Sequence, residues 1–310
     1  MSKIANYDEL DYDYSTYWNK RDYEHQSEVL VLDKLLKKDS GKWFLDVGGS
    51  FGRVLPTYYD KYSNCVIVDY SLKTLQKNYS SLKKDFPNVE LISANAYYLP
   101  FKENIFAGAL MIRVLHHLDK PKTYISEIYR VISPMGIYIQ EFANKQHLKA
   151  LNRAILKLDF EIFNTSPYQQ PDRKNNEGAR ENANVPFLNY HTVWIKRVLV
   201  KKGFKIVKKY GCSFFRIQTL KRILGSKVLL FFENISQNIF SFLDLSPSIF
   251  IKSIKDIKKE ESKRDIGGDI IDILVCPKCK GDLNITEKKA VCKECKKEYY
   301  KKENIWDFRI

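Results

Sequence analysis

The sequence predicts an α/β protein: a seven-stranded, mostly parallel sheet covered by helices, with a helical insertion late in that unit and a small cysteine-bearing unit at the C-terminus. Three observations predict it. Between residues 42 and 143, short apolar runs rich in β-branched and aromatic side chains alternate with segments of helical period. That is the pattern of strands joined by crossover helices on both faces of a parallel sheet. The first run, Trp43-Phe44-Leu45-Asp46-Val47, leads directly into a turn containing Gly48, Gly49 and Gly52, a strand–loop–helix unit whose backbone can approach a ligand closely. Four of the six cysteines stand in two Cys-x-x-Cys pairs separated by twelve residues.

The 310 residues suffice for a large core and a second, smaller unit. A hydrophobic content of 44% places the chain among globular proteins. No apolar run reaches the roughly 18 residues of a membrane span, and residues 1–10 are polar, unlike a signal peptide. A cytoplasmic location is the resulting expectation. The net charge of +15 points to an anionic partner. Its distribution is uneven: residues 1–40 hold more acids than bases, whereas residues 182–232 hold eleven Lys and Arg and neither Asp nor Glu. Residues 196–227 are therefore the candidate contact for RNA, phosphate or a membrane surface.

In chain order, Tyr7, Tyr12, Tyr14, Tyr17 and Trp18 are interleaved with acids and precede a helix over about 21–38. Val29, Leu32, Leu35 and Leu36 share one face of that helix. Strands follow near 43–47, 64–68, 88–92, 105–112 and 136–142, with helices near 52–61, 71–84 and 121–132. Ligands on such sheets sit at the carboxyl ends of the strands, where Asp46, Asp69, Asn95 and Arg113 all fall. The glycine turn lacks the Gly-x-Gly-x-x-Gly spacing of the dinucleotide fingerprint. The second strand nevertheless ends in Asp69, about 20 residues after that turn, where an acid holds ribose hydroxyls in nucleotide-type sites. A carboxylate suits a vicinal diol because its two oxygens can each accept.

Asp46-x-Gly48-x-x-x-Gly52, then Asp69, then Ser93-Ala94-Asn95-Ala96-Tyr97-Tyr98-Leu99-Pro100-Phe101 resemble the class I S-adenosylmethionine (SAM)-dependent methyltransferases, in particular the ubiquinone-biosynthesis-like group. Val114-Leu115-His116-His117-Leu118 and Glu127-x-x-Arg130-Val131-Ile132-Ser133-Pro134-x-Gly136 fit the same group. The resemblance covers residues 40–145 and implies a Rossmann-like sheet, SAM as cofactor and methyl transfer as activity. It implies that Gly48, Gly49 and Gly52 let the loop approach the methionine part of SAM, that Asp46 holds the loop or meets the ammonium group, and that Asp69 and Tyr70 lie at the ribose. Asn95 stands where the group usually has Asp; its carbonyl oxygen can still accept from the adenine amino group, and Ala96 would lend a backbone N–H. Arg113 falls near the methionine part, and an N-terminal helix would cap the site. His117 and Glu141 are candidate general bases, although transfer from a sulfonium needs a base only when the nucleophile must lose a proton. The segment Met111-Ile112-Arg113-Val114-Leu115-His116-His117 lacks the Asn-Pro-Pro-Tyr-like motif of amino-group methyltransferases acting on nucleobases or glutamine.

Residues 144–190 are polar and lie where substrate-binding insertions occur in that group; Tyr168, Arg173, Arg180 and Tyr190 are candidates for substrate contact. A helix over 192–202 ends at Gly203, and strands at 204–210 and 248–251 complete the sheet. Between them, residues 212–247 form a basic, amphipathic insertion that could line a pocket for a hydrophobic acceptor, lie on a membrane, or pack as core. The expected division is a methyltransferase unit over 1–256, a linker over 257–268 and a ribbon over 269–310. In the ribbon, Cys276, Cys279, Cys292 and Cys295 on two hairpins would form the tetrahedral thiolate set of a structural zinc site. Leu274-Val275-Cys276-Pro277-x-Cys279, Gly281-x-Leu283, the second pair and Tyr299 resemble the small zinc-ribbon activator subunit of tRNA, ribosomal and release-factor methyltransferases. Its apolar entry and exit, with Ile305, Trp306 and Phe308, predict that it packs against the large unit.

Three functions are compatible with these observations. One is an enzyme methylating a small, glycan- or lipid-linked acceptor. The second is an RNA- or protein-directed methyltransferase that docks its target through the basic stretch and ribbon. The third is a non-catalytic SAM-binding regulator.

Overall fold

The computed structural model describes Asp8 and residues 14–169, 187–256 and 267–310. The expectations placed on Tyr7, Tyr12, Arg173, Arg180 and most of the linker lie outside the described residues. In chain order the elements are α1 (Asp22–Leu36), β1 (Gly41–Val47), β2 (Tyr62–Asp69), α2 (Leu72–Asp85), β3 (Val89–Ser93), β4 (Phe106–Met111), α3 (Pro121–Val131), β5 (Ile132–Ala143) and α4 (Leu148–Lys157). The two-residue strands β6 (Tyr168–Gln169) and β7 (Leu188–Asn189) pair with each other. Then come α5 (Thr192–Lys202), β8 (Phe204–Cys212), α6 (Gln218–Ile239), β9 (Ser248–Lys255), β10 (Leu283–Ile285), β11 (Lys289–Cys292), β12 (Glu298–Lys302) and β13 (Ile305–Asp307).

Seven strands form the predicted sheet in the order β3-β2-β1-β4-β5-β9-β8. The first five are parallel, and β9 and β8 join antiparallel at one edge. The order reverses beside β1, so the carboxyl ends of β1, β2 and β4 frame the crevice where such sheets bind ligands. Alternation along β1 feeds both layers. Trp43, Leu45 and Val47 pack with Ile125 and Ile128 of α3 and Leu199 of α5. Phe44 packs with Leu32 and Leu35 of α1 and Leu75 of α2.

The helix expected over 52–61 is replaced by two 3-10 turns, Leu55–Thr57 and Tyr59–Lys61. Gly52 takes a left-handed φ of 74° and Pro56 has no N–H to donate, so regular α-helix cannot run through the segment. The face expected for α1 also shifts. Its buried stripe is Tyr23, Glu24, Ser27, Glu28, Val31, Leu32, Leu35 and Leu36, and Val29 is only half-buried. Helix α4, which the polar character of 144–190 concealed, buries only Ala150 and Ala154. In the insertion, α6 runs over Gln218–Ile239 with a break at Gly225 (φ 70°, ψ 160°).

The ribbon does not merely cover a face of the large unit. Its last strand continues the sheet: β13 pairs parallel to β3, Trp306 opposite Ile92 and Asp307 opposite Ser93. The order β10-β11-β12-β13-β3 makes one eleven-stranded sheet among the described residues. An exposed edge strand is a liability, and the ribbon removes it at β3. Further contacts fasten the junction. Lys102 donates its backbone N–H to Ile273 O at 2.9 Å, and Val275 donates to Pro100 O at 3.0 Å. Lys280 Nζ reaches Glu127 Oε1 at 2.5 Å. Trp306, Phe308 and Tyr299 are buried in the same core as Phe101 and Phe106, each burial being worth about 1.5–3 kcal/mol.

Candidate cofactor site and metal centre

The crevice at the carboxyl ends of the strands is a pocket, and it collects nine of the residues singled out from the sequence: Asp46, Gly48, Gly49, Asp69, Tyr70, Asn95, Ala96, Arg113 and His117. Gly52 and Glu141 are not among its lining. The backbone at Gly48 leaves β1 at φ 77° and donates its N–H to Val68 O at 2.7 Å. A Cβ there would stand 2.2 Å from Val114 Cγ2, so only glycine allows the loop to pass under the turn after β4. At Gly52 a Cβ would meet Leu82 of α2 at 2.6 Å. That glycine serves packing against α2.

Asp69 ends β2 with both carboxylate oxygens accepting from backbone N–H groups. Oδ2 accepts from Ser50 N at 3.0 Å and Oδ1 from Ser71 N at 2.9 Å. The Tyr70 N–H is a third backbone donor to the same carboxylate. Ser71 caps α2, accepting from Thr74 N. Burial pushes the Asp69 carboxyl up to about 6 although these N–H groups favour its charge. Asp46 lies deeper and accepts from Tyr58 Oη at 2.8 Å; burial pushes it up to about 7. The Asn95 carbonyl oxygen accepts from Tyr97 N at 3.0 Å, which fixes the side chain and leaves that oxygen one further lone pair.

Arg113 has a left-handed φ of 59°. Its N–H donates to Glu141 Oε2 at 2.7 Å, and Ser248 Oγ donates to Glu141 Oε1 at 2.5 Å. Glu141 thus holds the Arg113 turn from below; burial raises its carboxyl. The Arg113 guanidinium donates through Nε to Glu28 Oε1 at 2.5 Å, and Arg53 donates to Glu28 Oε2 at 2.5 Å. Burial alone would raise the Glu28 carboxyl, but the two guanidiniums hold it below its ordinary range. Arg53 also lies 3.7 Å from the Trp18 ring centroid and Arg113 5.0 Å. The His117 ring lies tilted against His116, 4.0 Å between centroids and 53° between planes.

Trp18 belongs to the aromatic cluster noted ahead of α1, whereas Glu28, Arg53 and Tyr58 escaped the sequence reading. The usable signal was Glu24 and Glu28, one helical turn apart and in phase with Val31, Leu32 and Leu35 on the buried stripe. Charges on an apolar stripe require partners.

The pocket suits a nucleoside with a charged tail. Asp69 offers a carboxylate to a diol, and Asn95 and Ala96 offer amide groups beside an apolar slot of Val68, Ala94 and Leu118. Trp18 Nε1, a buried donor on the pocket wall, has no hydrogen-bond partner among the described residues. SAM fits this set, and when bound it supplies a methyl group on a sulfonium, already activated for displacement.

In the ribbon the four cysteines converge. Cys276 Sγ lies 3.7 Å from Cys295 Sγ and Cys279 Sγ 3.4 Å from Cys292 Sγ, with all four sulfurs within 4.8 Å of one another. A tetrahedron with zinc–sulfur bonds of about 2.3 Å requires sulfurs about 3.8 Å apart, so the set fits zinc. Tyr299 Oη stands 3.2 Å from Cys276 Sγ as an outer partner.

The methyltransferase-domain family matches residues 45–140, and the Trm112p-like protein family matches residues 269–300. The uncharacterized protein MJ1252 of Methanocaldococcus jannaschii is 27% identical over 208 residues, 67% of this chain and 78% of that protein. A demethylmenaquinone methyltransferase of Renibacterium salmoninarum is 30% identical over 105 residues, 34% of this chain and 43% of that enzyme. A chain from the solved complex of the Haloferax volcanii Trm112 methyltransferase activator shares the fold, with a TM-score of 0.52 at 10% identity, covering 79% of this chain and 94% of its own. Sheet order, strand-end pocket and family match together define a class I SAM-dependent methyltransferase. The chain thus joins a methyltransferase domain over residues 45–140 to a Trm112p-like zinc ribbon region over residues 269–300.

Proposed function

We propose that this enzyme transfers the SAM methyl group, by in-line displacement, to a small, glycan- or lipid-linked acceptor. In this reading Asp69 accepts the ribose hydroxyls, Tyr70 borders them, Asn95 and Ala96 hold the adenine edge, and the Gly48-Gly49 turn with Asp46 carries the methionine part. Arg113, fixed by Glu28 and Glu141, completes the pocket beneath Trp18. His117 is the candidate base on the pocket wall; Glu141 acts as a positioning residue. The proposed division is a methyltransferase unit over 1–256, a linker over 257–268 and a ribbon over 269–310, acting in the cytoplasm, where thiolates stay reduced. Positioning supplies much of the rate because the leaving group is preactivated.

The observation that carries the acceptor class is the apolar exterior of the insertions. Leu156, Leu158 and Phe160 after β5, and Phe231 and Phe242 in and after α6, are among the most exposed large apolar side chains. The test is labelled-SAM transfer against fractionated cell extract. Label in the small-molecule or lipid-extractable fraction supports the reading; label confined to RNA or protein contradicts it.

A second reading, an RNA- or protein-directed enzyme, draws on the acid-free run over 196–227. Lys201, Lys205, Lys208 and Arg222 are exposed there, whereas Lys221 is engaged by buried Glu24 at 2.5 Å. Steep salt dependence of tRNA binding would favour it; weak, salt-insensitive binding favours the first reading.

A further inference from the structure

Beyond its break at Gly225, helix α6 is built inside out. Its inward face is mainly polar: Glu233, Ser236 and Gln237, with Leu229 as the one apolar member, are buried against α1 and the end of β8. Glu233 accepts from Tyr23 Oη at 2.6 Å, Ser213 N at 2.8 Å and Phe214 N at 2.9 Å. Gln237 donates to Ser27 O at 2.9 Å and accepts from Lys34 Nζ at 2.9 Å. These bonds lock the rotation of the helix, since turning it would strand buried polar groups. The outward face is therefore fixed, and it is apolar. Val228, Phe231, Phe232, Ile235 and Ile239 recur at helical spacing and are exposed, Phe231 by 64%. Exposed Phe240, Phe242 and Leu243 extend the ridge.

A second apolar ridge starts at the same corner. Leu148 N, opening α4, donates to Leu245 O at 2.9 Å, and exposed Leu148, Ile155, Leu156 and Leu158 follow. Around both ridges the exposed charge is mainly positive: Arg222 and Lys227 on α6, and Lys149, Arg153 and Lys157 on α4, with Asp159 and Glu161 just beyond α4. Between residues 212 and 243 the single acid is the buried Glu233.

We propose that the outward ridge of α6, continued by α4, docks the enzyme on an anionic lipid surface. Charge complementarity selects this occupant. An apolar face flanked by Lys and Arg sinks to the headgroup boundary while its cations meet anionic headgroups. A second copy seated on the same face by two-fold symmetry would bring like charges together with few acids to pair them. No helix among the described residues is long and apolar enough to cross a membrane, so the contact lies along the surface. The proposal deepens the lipid-linked reading of the acceptor, on which its functional use rests, but docking is testable without turnover.

The experiment is cosedimentation of the full, zinc-loaded chain with phosphatidylcholine vesicles containing about one third phosphatidylglycerol, with SAM binding followed by calorimetry on the same preparations. Wild type is expected to bind these vesicles and to bind pure phosphatidylcholine much less. The double variant Phe231→Ser with Ile235→Ser should lose about tenfold in vesicle affinity, and Arg222→Glu with Lys227→Glu should lose a similar amount on anionic vesicles only. Both should bind SAM as wild type does, which separates failure of docking from failure of the methyltransferase reading. Wild type that ignores anionic vesicles overturns the proposal. So does a wild-type dimer in light scattering that the Phe231→Ser, Ile235→Ser variant dissociates while vesicle binding is absent.

Discussion

Phe308 donates its backbone N–H to the carbonyl oxygen of Ser93 at 2.7 Å, joining the last residues of the ribbon to the strand end that leads to Asn95. One residue on, Arg309 reaches Tyr70 O at 3.4 Å and Asp8 Oδ2 at 2.7 Å. The metal-held hairpins and the pocket therefore share one sheet edge. Loss of the zinc should be felt at the cofactor.

Cys279→Ser, or chelation of the metal, should unfold the ribbon because metal binding and folding are coupled in such sites. Trp306 and Phe308 then lose their cover, and truncation of these contacts should cost about 3–5 kcal/mol. The expected outcome is a lower melting temperature and weaker SAM binding, read by calorimetry with and without chelator. Truncation after Lys255 should act the same way. A truncated chain as stable as the full one would show the β13–β3 pairing to be dispensable.

Glu28 is the shared anion of Arg53 and Arg113. Glu28→Gln leaves two mostly buried guanidiniums without their counter-charge, which should destabilise the fold by about 3–5 kcal/mol and loosen the pocket wall at Trp18. Thermal unfolding and SAM titration of that variant check it. Stability and affinity within error of wild type would reduce the cluster to a surface feature.

The pH dependence follows from two raised carboxyls. Asp69 is pushed to about 6 and Asp46 to about 7, against an ordinary 3.8. Between the ordinary and raised values the folded chain holds protons that the unfolded chain has released, so the ligand-free fold loses stability as pH rises through that window. Cofactor affinity should run the other way, because the diol needs the Asp69 carboxylate. SAM should bind about tenfold more weakly at pH 5 than at pH 7, with a shallower profile in Asp69→Asn, where Asp46 still titrates. Calorimetry across that range reads it, and a flat wild-type profile would remove Asp69 ionisation from binding.

The parts of this architecture that were legible in the sequence are those written as local pattern. The alternation around Trp43–Val47 and Cys65–Asp69, the glycines at 48 and 49, and the two Cys-x-x-Cys pairs each state their chemistry within a few residues. What escaped depends on tertiary context. The pairing of Trp306 with Ile92 joins residues more than two hundred positions apart, and no local pattern names an edge partner. The turns at 55–61 read as helix because their apolar spacing is helical, while Gly52 and Pro56 override it. Helix α6 misleads in the opposite sense: its apolar stripe has the period of a core-facing helix, and only the bonds of Glu233 and Gln237 show that the stripe faces out.

The central claim is that this chain holds SAM at the carboxyl ends of β1 and β2, with Asp69 on the ribose. Titration calorimetry of SAM into the zinc-loaded protein, wild type beside Asp69→Ala, tests it most directly. Wild type should bind in a single site, and the variant, unchanged in zinc content, should bind more than about tenfold more weakly, a loss of about 1.5–3 kcal/mol for hydrogen bonds to a charged group. Equal affinity in the two proteins, or no binding by wild type, would contradict it.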